Sequence, residues 1–125
     1  MVKRPFVAQH FLTVPNCGPE NELHSHSFLV EVLLEAKELG QYGYLVDIDD
    51  VKAGMDRLLG YFRDHTLNDL PEFKGLNPSI EHFSRIFCEK LAAEIATDHL
   101  DFLGVRLWED DMAWASYRMA VGAPA

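Results

Sequence analysis

The chain reads as an α+β fold in which a four-stranded antiparallel sheet is covered on one face by two helices. Two observations predict it. Alternating apolar runs occur in two groups, one at each end of the chain, and two stretches with helical periodicity lie between them. Strands and helices are therefore grouped in the order ββααββ, without the regular strand-helix alternation of a parallel sheet. The 125 residues, 48% of them apolar, suit one compact domain spanning 1–125.

The first alternating run extends from Phe6 to Val14, with Phe6, Ala8, His10, Leu12 and Val14 on its more apolar face. A polar, turn-rich loop follows, from Pro15 to Glu22, and it contains Cys17. The second strand is the clearest. His24, His26, Phe28, Val30, Val32 and Leu34 share one face, while Ser25, Ser27, Glu31 and Glu35 lie on the other. Gly40 and Gly43 mark the connection to a helix capped by Asp49 or Asp50, in which Val51, Met55, Leu58, Leu59 and Phe62 recur at helical spacing and which ends near Arg63. Asp64 to Asn77 is a polar loop. Asn77 and Pro78 then suit a helix start, with Ile80, Phe83, Phe87, Leu91 and Ile95 as its apolar stripe. Phe102 to Glu109 and Trp114 to Ala120 are the last two strands.

Charge and cysteine usage narrow the function classes. Eleven basic residues against twenty acidic ones give a formal charge of −9, and apart from Lys3-Arg4 the basic residues are scattered singly, so nucleic acid is not an expected partner. No apolar run approaches a membrane span, and the first residues do not read as a signal peptide, so a cytoplasmic protein is expected. Cys17 and Cys88 cannot build a disulfide framework. Cys88 falls among Ile86, Phe87 and Leu91 of a helix and is expected to pack; Cys17 lies in a loop, where a nearby cation could make its thiol a usable base or leave it an ordinary exposed thiol.

His24 and His26 are separated by one residue, so on a strand both imidazoles point the same way and can reach one ion. His10, inward-facing on the preceding strand, supplies a third nitrogen if the two strands pair as a hairpin. Three imidazoles leave a coordination position open, as catalytic zinc sites do; iron(II) suits the same donors, and hydrogen-bonded core histidines would show the same pattern. Asp64-His65 offers a carboxylate beside an imidazole for proton transfer, if the two side chains meet. Glu109 projects from the strand face of Leu103, Val105 and Leu107, where a carboxylate can accept a paired N–H edge or turn to solvent.

Taken together, Phe6-Val-Ala-Gln-His10, His24-Ser-His26, Gly43-Tyr-Leu-Val-Asp47, Asp64-His65 with Leu67-Asn68, Asn77-Pro-Ser-Ile-Glu81 and Glu109 resemble the 6-pyruvoyltetrahydropterin synthase and 6-carboxytetrahydropterin synthase family, in its order and over nearly the whole chain. The resemblance implies the tunnelling fold (T-fold), whose subunits join their sheets into a barrel, usually as a hexamer with active sites between subunits. It implies zinc held by His10, His24 and His26, proton transfer by a cysteine with Asp64 and His65, and a pterin anchored by Glu109. The implied substrate is 7,8-dihydroneopterin triphosphate. The favoured product is 6-carboxytetrahydropterin, of the queuosine pathway; the alternatives are 6-pyruvoyltetrahydropterin, cleavage of dihydroneopterin for folate synthesis, or non-catalytic pterin binding.

Three departures from the family pattern stand out. Ser25 replaces the usual glycine between the paired histidines, and Asp110 follows Glu109 where threonine is common. Cys17 stands farther from His24 than the family's cysteine does. Counted without a gap, Glu20 takes that place. Cys17 on a bulged loop is the expected base, with Glu20 or Glu22 as the alternative.

Overall fold

The computed structural model describes residues 1–122. Its strands are β1 (Val2–His10), β2 (His24–Glu35), β3 (Phe102–Trp108) and β4 (Trp114–Ala120), and its helices are α1 (Ile48–Phe62) and α2 (Ile80–Glu94). The strands form one antiparallel sheet in the order β1-β2-β3-β4. Both helices pack on the same face, where even-numbered β1 and β2 residues meet the stripes read from the sequence. No helix among the described residues is long and apolar enough to cross a membrane.

Several boundaries differ from the periodicity, each for a local reason. β1 runs from Val2 to His10 rather than from Phe6 to Val14. Pro5 is tolerated because β1 is the outer strand of the ladder, where a missing N–H breaks no bond to β2. Past His10 the chain leaves the sheet, and loop groups replace the ladder: Phe11 N donates to Asn68 Oδ1, Leu12 N to the Glu20 carbonyl and Thr13 N to Asn77 Oδ1. Asp47, not Asp49 or Asp50, caps α1, its Oδ1 accepting from Asp49 N at 3.0 Å. Asp49 and Asp50 lie in the first turn, where negative charge opposes the positive end of the helix dipole. Ser79 rather than Asn77 caps α2, because the Asn77 side chain is engaged with Thr13. β3 ends at Trp108, just before a tight turn in which Glu109 N still reaches the Ala113 carbonyl in hairpin register and Asp110 Oδ1 accepts from Met112 N and Ala113 N.

Glu31 departs from the pattern in burial. Alternation puts it on the helix-free face, yet it is only 7% exposed. Trp108 Nε1 donates to its carboxylate, and Arg106 Nη1 lies 3.9 Å away, so its charge is met by neighbours on β3.

The core centres on Phe83, 1% exposed, whose ring meets Phe6, Phe28, Phe62 and Phe73 at centroid distances of 5.9, 5.5, 5.0 and 5.6 Å. One side chain thereby ties the sheet to α1, α2 and the loop after α1. Cys88 packs beneath the sheet with its Sγ toward the Leu103 carbonyl, and burial pushes its thiol up to about 12. Gly54 lets α1 approach the end of α2, because a Cβ there would lie 2.5 Å from Ile95 Cγ2.

A polar contact fastens the same elements on the surface. Tyr61 Oη donates to Glu72 at 2.5 Å, and Lys90 Nζ lies 3.0 Å from the same carboxylate. The bond to Glu72 raises the Tyr61 phenol to about 12. Burial alone would raise Glu72, but hydrogen bonds from Tyr61 and Lys90 outweigh it and hold the carboxyl below its ordinary value.

Phe83→Ala should lower stability by about 3–5 kcal/mol, read as the shift of the thermal or urea midpoint, because the four facing rings cannot close the gap. Tyr61→Phe should cost about 1–2 kcal/mol at neutral pH. Since Glu72 is depressed in the folded state, the stability it contributes is present above the ordinary carboxylate range and is lost as pH falls through its folded value. The difference between parent and Tyr61→Phe midpoints should therefore shrink on acidification; a constant difference down to the acid transition would contradict this coupling.

Candidate metal centre

The register of β1 on β2 sets His10 directly opposite His24 and Ala8 opposite His26. All four are even-numbered, so the three imidazoles rise from the helix-covered face at the end of the sheet beyond the phenylalanine core. Their ring centroids lie 4.6, 5.0 and 4.8 Å apart. Ala8, fully buried, leaves the space into which His26 extends.

Two backbone carbonyls set the tautomers. His10 Nδ1 is 2.8 Å from the Pro78 carbonyl, and His24 Nδ1 is 2.7 Å from the Glu22 carbonyl. A carbonyl only accepts, so each Nδ1 carries the proton and each Nε2 keeps a lone pair. The Nε2 atoms of His10, His24 and His26 are all buried without a hydrogen-bond partner. What these converging nitrogens face is not a donor but the carboxylates of Glu109 and Glu20, and such a group of lone pairs and negative charge is costly unless a cation binds it. His10, 1% exposed, has its pKa lowered chiefly by burial, with further lowering by His24 and His26, which favours the neutral ring a metal requires.

Two carboxylates complete the group. Glu109 Oε1 lies 2.9 Å from His26 Nε2 and 3.6 Å from His10 Nε2, and Glu20 Oε2 lies 3.4 Å from His24 Nε2. One ligand atom from each of His10, Glu20, His24, His26 and Glu109 falls within 4.8 Å of the others. Burial raises the Glu109 carboxyl most, Glu20 and Asp110 add to this, and His26 and His24 oppose it. Nitrogen and oxygen donors at this spacing fit a divalent transition ion such as zinc.

The other candidates are placed differently. Cys17 is half-buried in the loop before β2 and is not among the five donors; its N–H is held by Asn21 Oδ1. Glu22 contributes its carbonyl to His24, while its carboxylate is not among the five donors. Asp64 and His65 are exposed beside the outer edge of β1, where Asp64 N donates to the Val7 carbonyl and Gln9 N to the His65 carbonyl. No hydrogen bond or ion pair joins their side chains: Asp64 has φ 61°, and His65 Nδ1 turns to the Arg63 carbonyl at 2.9 Å. Asn21 and Asn68, which cross-link the loops with their amides, carried no periodic signal in the sequence.

Comparisons with known proteins identify the family and the fold. The profile of the family described as 6-pyruvoyl tetrahydropterin synthase matches residues 1–120. A protein of Archaeoglobus fulgidus named "Putative 6-carboxy-5,6,7,8-tetrahydropterin synthase" is 30% identical over 118 residues, covering 94% of this chain and 92% of that one. The fold is similar to that of the Caenorhabditis elegans 6-pyruvoyl tetrahydropterin synthase, with a TM-score of 0.81, 20% identity and coverage of 95% and 93% of the two chains. It is similar also to a Plasmodium vivax 6-pyruvoyltetrahydropterin synthase whose solved form replaces a glutamate described as catalytic, with a TM-score of 0.79, 15% identity and 96% of each chain covered. With its antiparallel sheet, its two helices on one face and a matched span from residue 1 to 120, the chain belongs to the 6-pyruvoyl tetrahydropterin synthase family and has its T-fold.

Proposed function

We propose that this chain is a zinc-dependent lyase acting on the side chain of 7,8-dihydroneopterin triphosphate, with His10, His24 and His26 as the metal ligands and Glu20, rather than Cys17, as the group that moves the substrate proton. The observation that carries the reading is the Glu20 carboxylate 3.4 Å from His24 Nε2, in the place that a count back from the paired histidines gives to the family's cysteine. Zinc held by the three Nε2 atoms would polarise the side-chain hydroxyls of the substrate and make their protons easier to remove. Glu20 is half-exposed, so it can exchange its proton with solvent between turnovers. Glu109, in the same cluster, is suited to accept a paired N–H edge of the pterin. Asp64 and His65, on the outer edge of β1, are available to a neighbouring copy, as in an oligomer whose sites lie between subunits.

The 6-carboxytetrahydropterin product, with loss of acetaldehyde and triphosphate, is the first choice. The name of the Archaeoglobus fulgidus relative supports it. A second reading is cleavage of unphosphorylated dihydroneopterin with release of glycolaldehyde. It is favoured by a glutamate, rather than a thiol, beside the paired histidines. The Plasmodium vivax protein, named a 6-pyruvoyltetrahydropterin synthase, has a glutamate described as catalytic, which supports a glutamate in the role of base under either reading.

Protein purified without chelator should carry zinc by elemental analysis, and His24→Ala should lose it; full zinc retention in that variant would remove the metal assignment. Given both substrates, the zinc-loaded protein should release acetaldehyde from the triphosphate, whereas glycolaldehyde from dihydroneopterin would select the second reading. Glu20→Gln should lower kcat by about 10²–10⁴-fold and Cys17→Ala should leave it near the parent value. The opposite pattern would return the proton transfer to the thiol.

A further inference from the structure

The loop that delivers Glu20 has almost no packing to define it. From Thr13 to Leu23 every residue but Cys17 is exposed, and the short 3₁₀ turn Gly18–Asn21 buries nothing. Asn16 and Gly18 both have left-handed backbone, with φ 63° and 68°. Such a segment is held by its hydrogen bonds or not at all. Thr13 N and Oγ1 donate to Asn77 Oδ1 and Glu22 N to the Pro19 carbonyl, and three more bonds converge on one side chain. Asn21 Nδ2 donates to the carbonyls of Leu12 at 2.9 Å and Val14 at 2.8 Å, while Asn21 Oδ1 accepts from Cys17 N at 2.8 Å. Next to it, Leu12 N donates to the Glu20 carbonyl at 2.8 Å. The amide thus joins the limb leaving β1 to the limb entering β2 and uses three of its four hydrogen-bonding positions.

We infer that Asn21 is a positioning residue that decides which loop side chain faces the three histidines, holding Glu20 at the centre and the Cys17 backbone away from it. The inference rests on the role proposed for Glu20. Its physical basis is that both limbs are fixed by one amide with donors and an acceptor. Alanine at this place removes all three bonds from a loop with no core contacts, and the Glu20 carboxylate then spreads over many positions. A displacement of about 1 Å in a reacting group can cost on the order of a hundredfold in rate.

The test is a double-mutant cycle of Asn21→Ala and Glu20→Gln, read by kinetics and by the visible spectrum of the cobalt(II)-loaded proteins. Asn21→Ala should lower kcat by about tenfold to a hundredfold with KM little changed, and should cost almost nothing further in the Glu20→Gln background. Its cobalt spectrum should shift toward that of Glu20→Gln, because both variants remove the carboxylate from beside His24. Additive kinetic losses would overturn the inference. So would a parent-like cobalt spectrum in Asn21→Ala, or a Glu20→Gln spectrum unchanged from the parent. If the parent turns over neither pterin, the proposed function falls, and the cobalt spectra alone decide the placement of Glu20 by Asn21. Asn21 is exposed and outside the core, so the variants should keep the parent's thermal midpoint, and a large drop would make the amide a folding element and overturn the inference.

Discussion

Everything at the centre depends on the pairing of β1 with β2 in one register. With Phe6 opposite Phe28 and His10 opposite His24, the apolar core and the imidazole cluster share a face and follow one another along the strands. A slip of one residue would turn His24 and His26 to the other face together with Phe28, Val30 and Val32. The register is therefore enforced by the core: the stacked rings of Phe6 and Phe28, 5.3 Å apart, and the edge of Phe83 against both. The same hydrophobic burial that closes the fold sets the histidine geometry.

The convergence of three imidazoles has a cost that the rest of the structure carries. Their Nε2 atoms are withdrawn from water and from hydrogen bonds, while their outer nitrogens are occupied at His10 and His24 by the Pro78 and Glu22 carbonyls. The turn before α2 and the end of the loop before β2 thus serve as supports for rings on two different strands. Fixed tautomers and buried lone pairs are how a protein prepares nitrogen ligands before an ion arrives.

The regular parts of this arrangement were legible in the sequence because alternation and helical spacing record which face is buried. The inward histidines, the stripe of α1 and the packing role of Cys88 follow from that signal. The end of β1 did not, because Asn68, Glu20 and Asn77 take over from the ladder through contacts distant in sequence. The caps shifted for the same kind of reason, as Asn77 was already engaged by Thr13. Spacing put Glu20 at the place of the family's cysteine, and the expectation of Cys17 as the base rested on a bulged loop. The structure instead brings the Glu20 carboxylate to the histidines, through hydrogen bonds of Asn21 that no periodicity announces. Asp64 and His65 are neighbours in sequence, yet the left-handed backbone at Asp64 separates their side chains, which adjacency could not reveal.

The most direct measurement of the centre is zinc X-ray absorption on the purified protein. Ligation by His10, His24 and His26 beside Glu20 predicts a shell of nitrogen and oxygen at about 2.0–2.1 Å with the multiple scattering of imidazole rings and no sulfur. A sulfur shell at about 2.3 Å would place the Cys17 thiol on the metal and contradict the assignment of Glu20, and a spectrum without imidazole scattering would contradict the histidine centre itself.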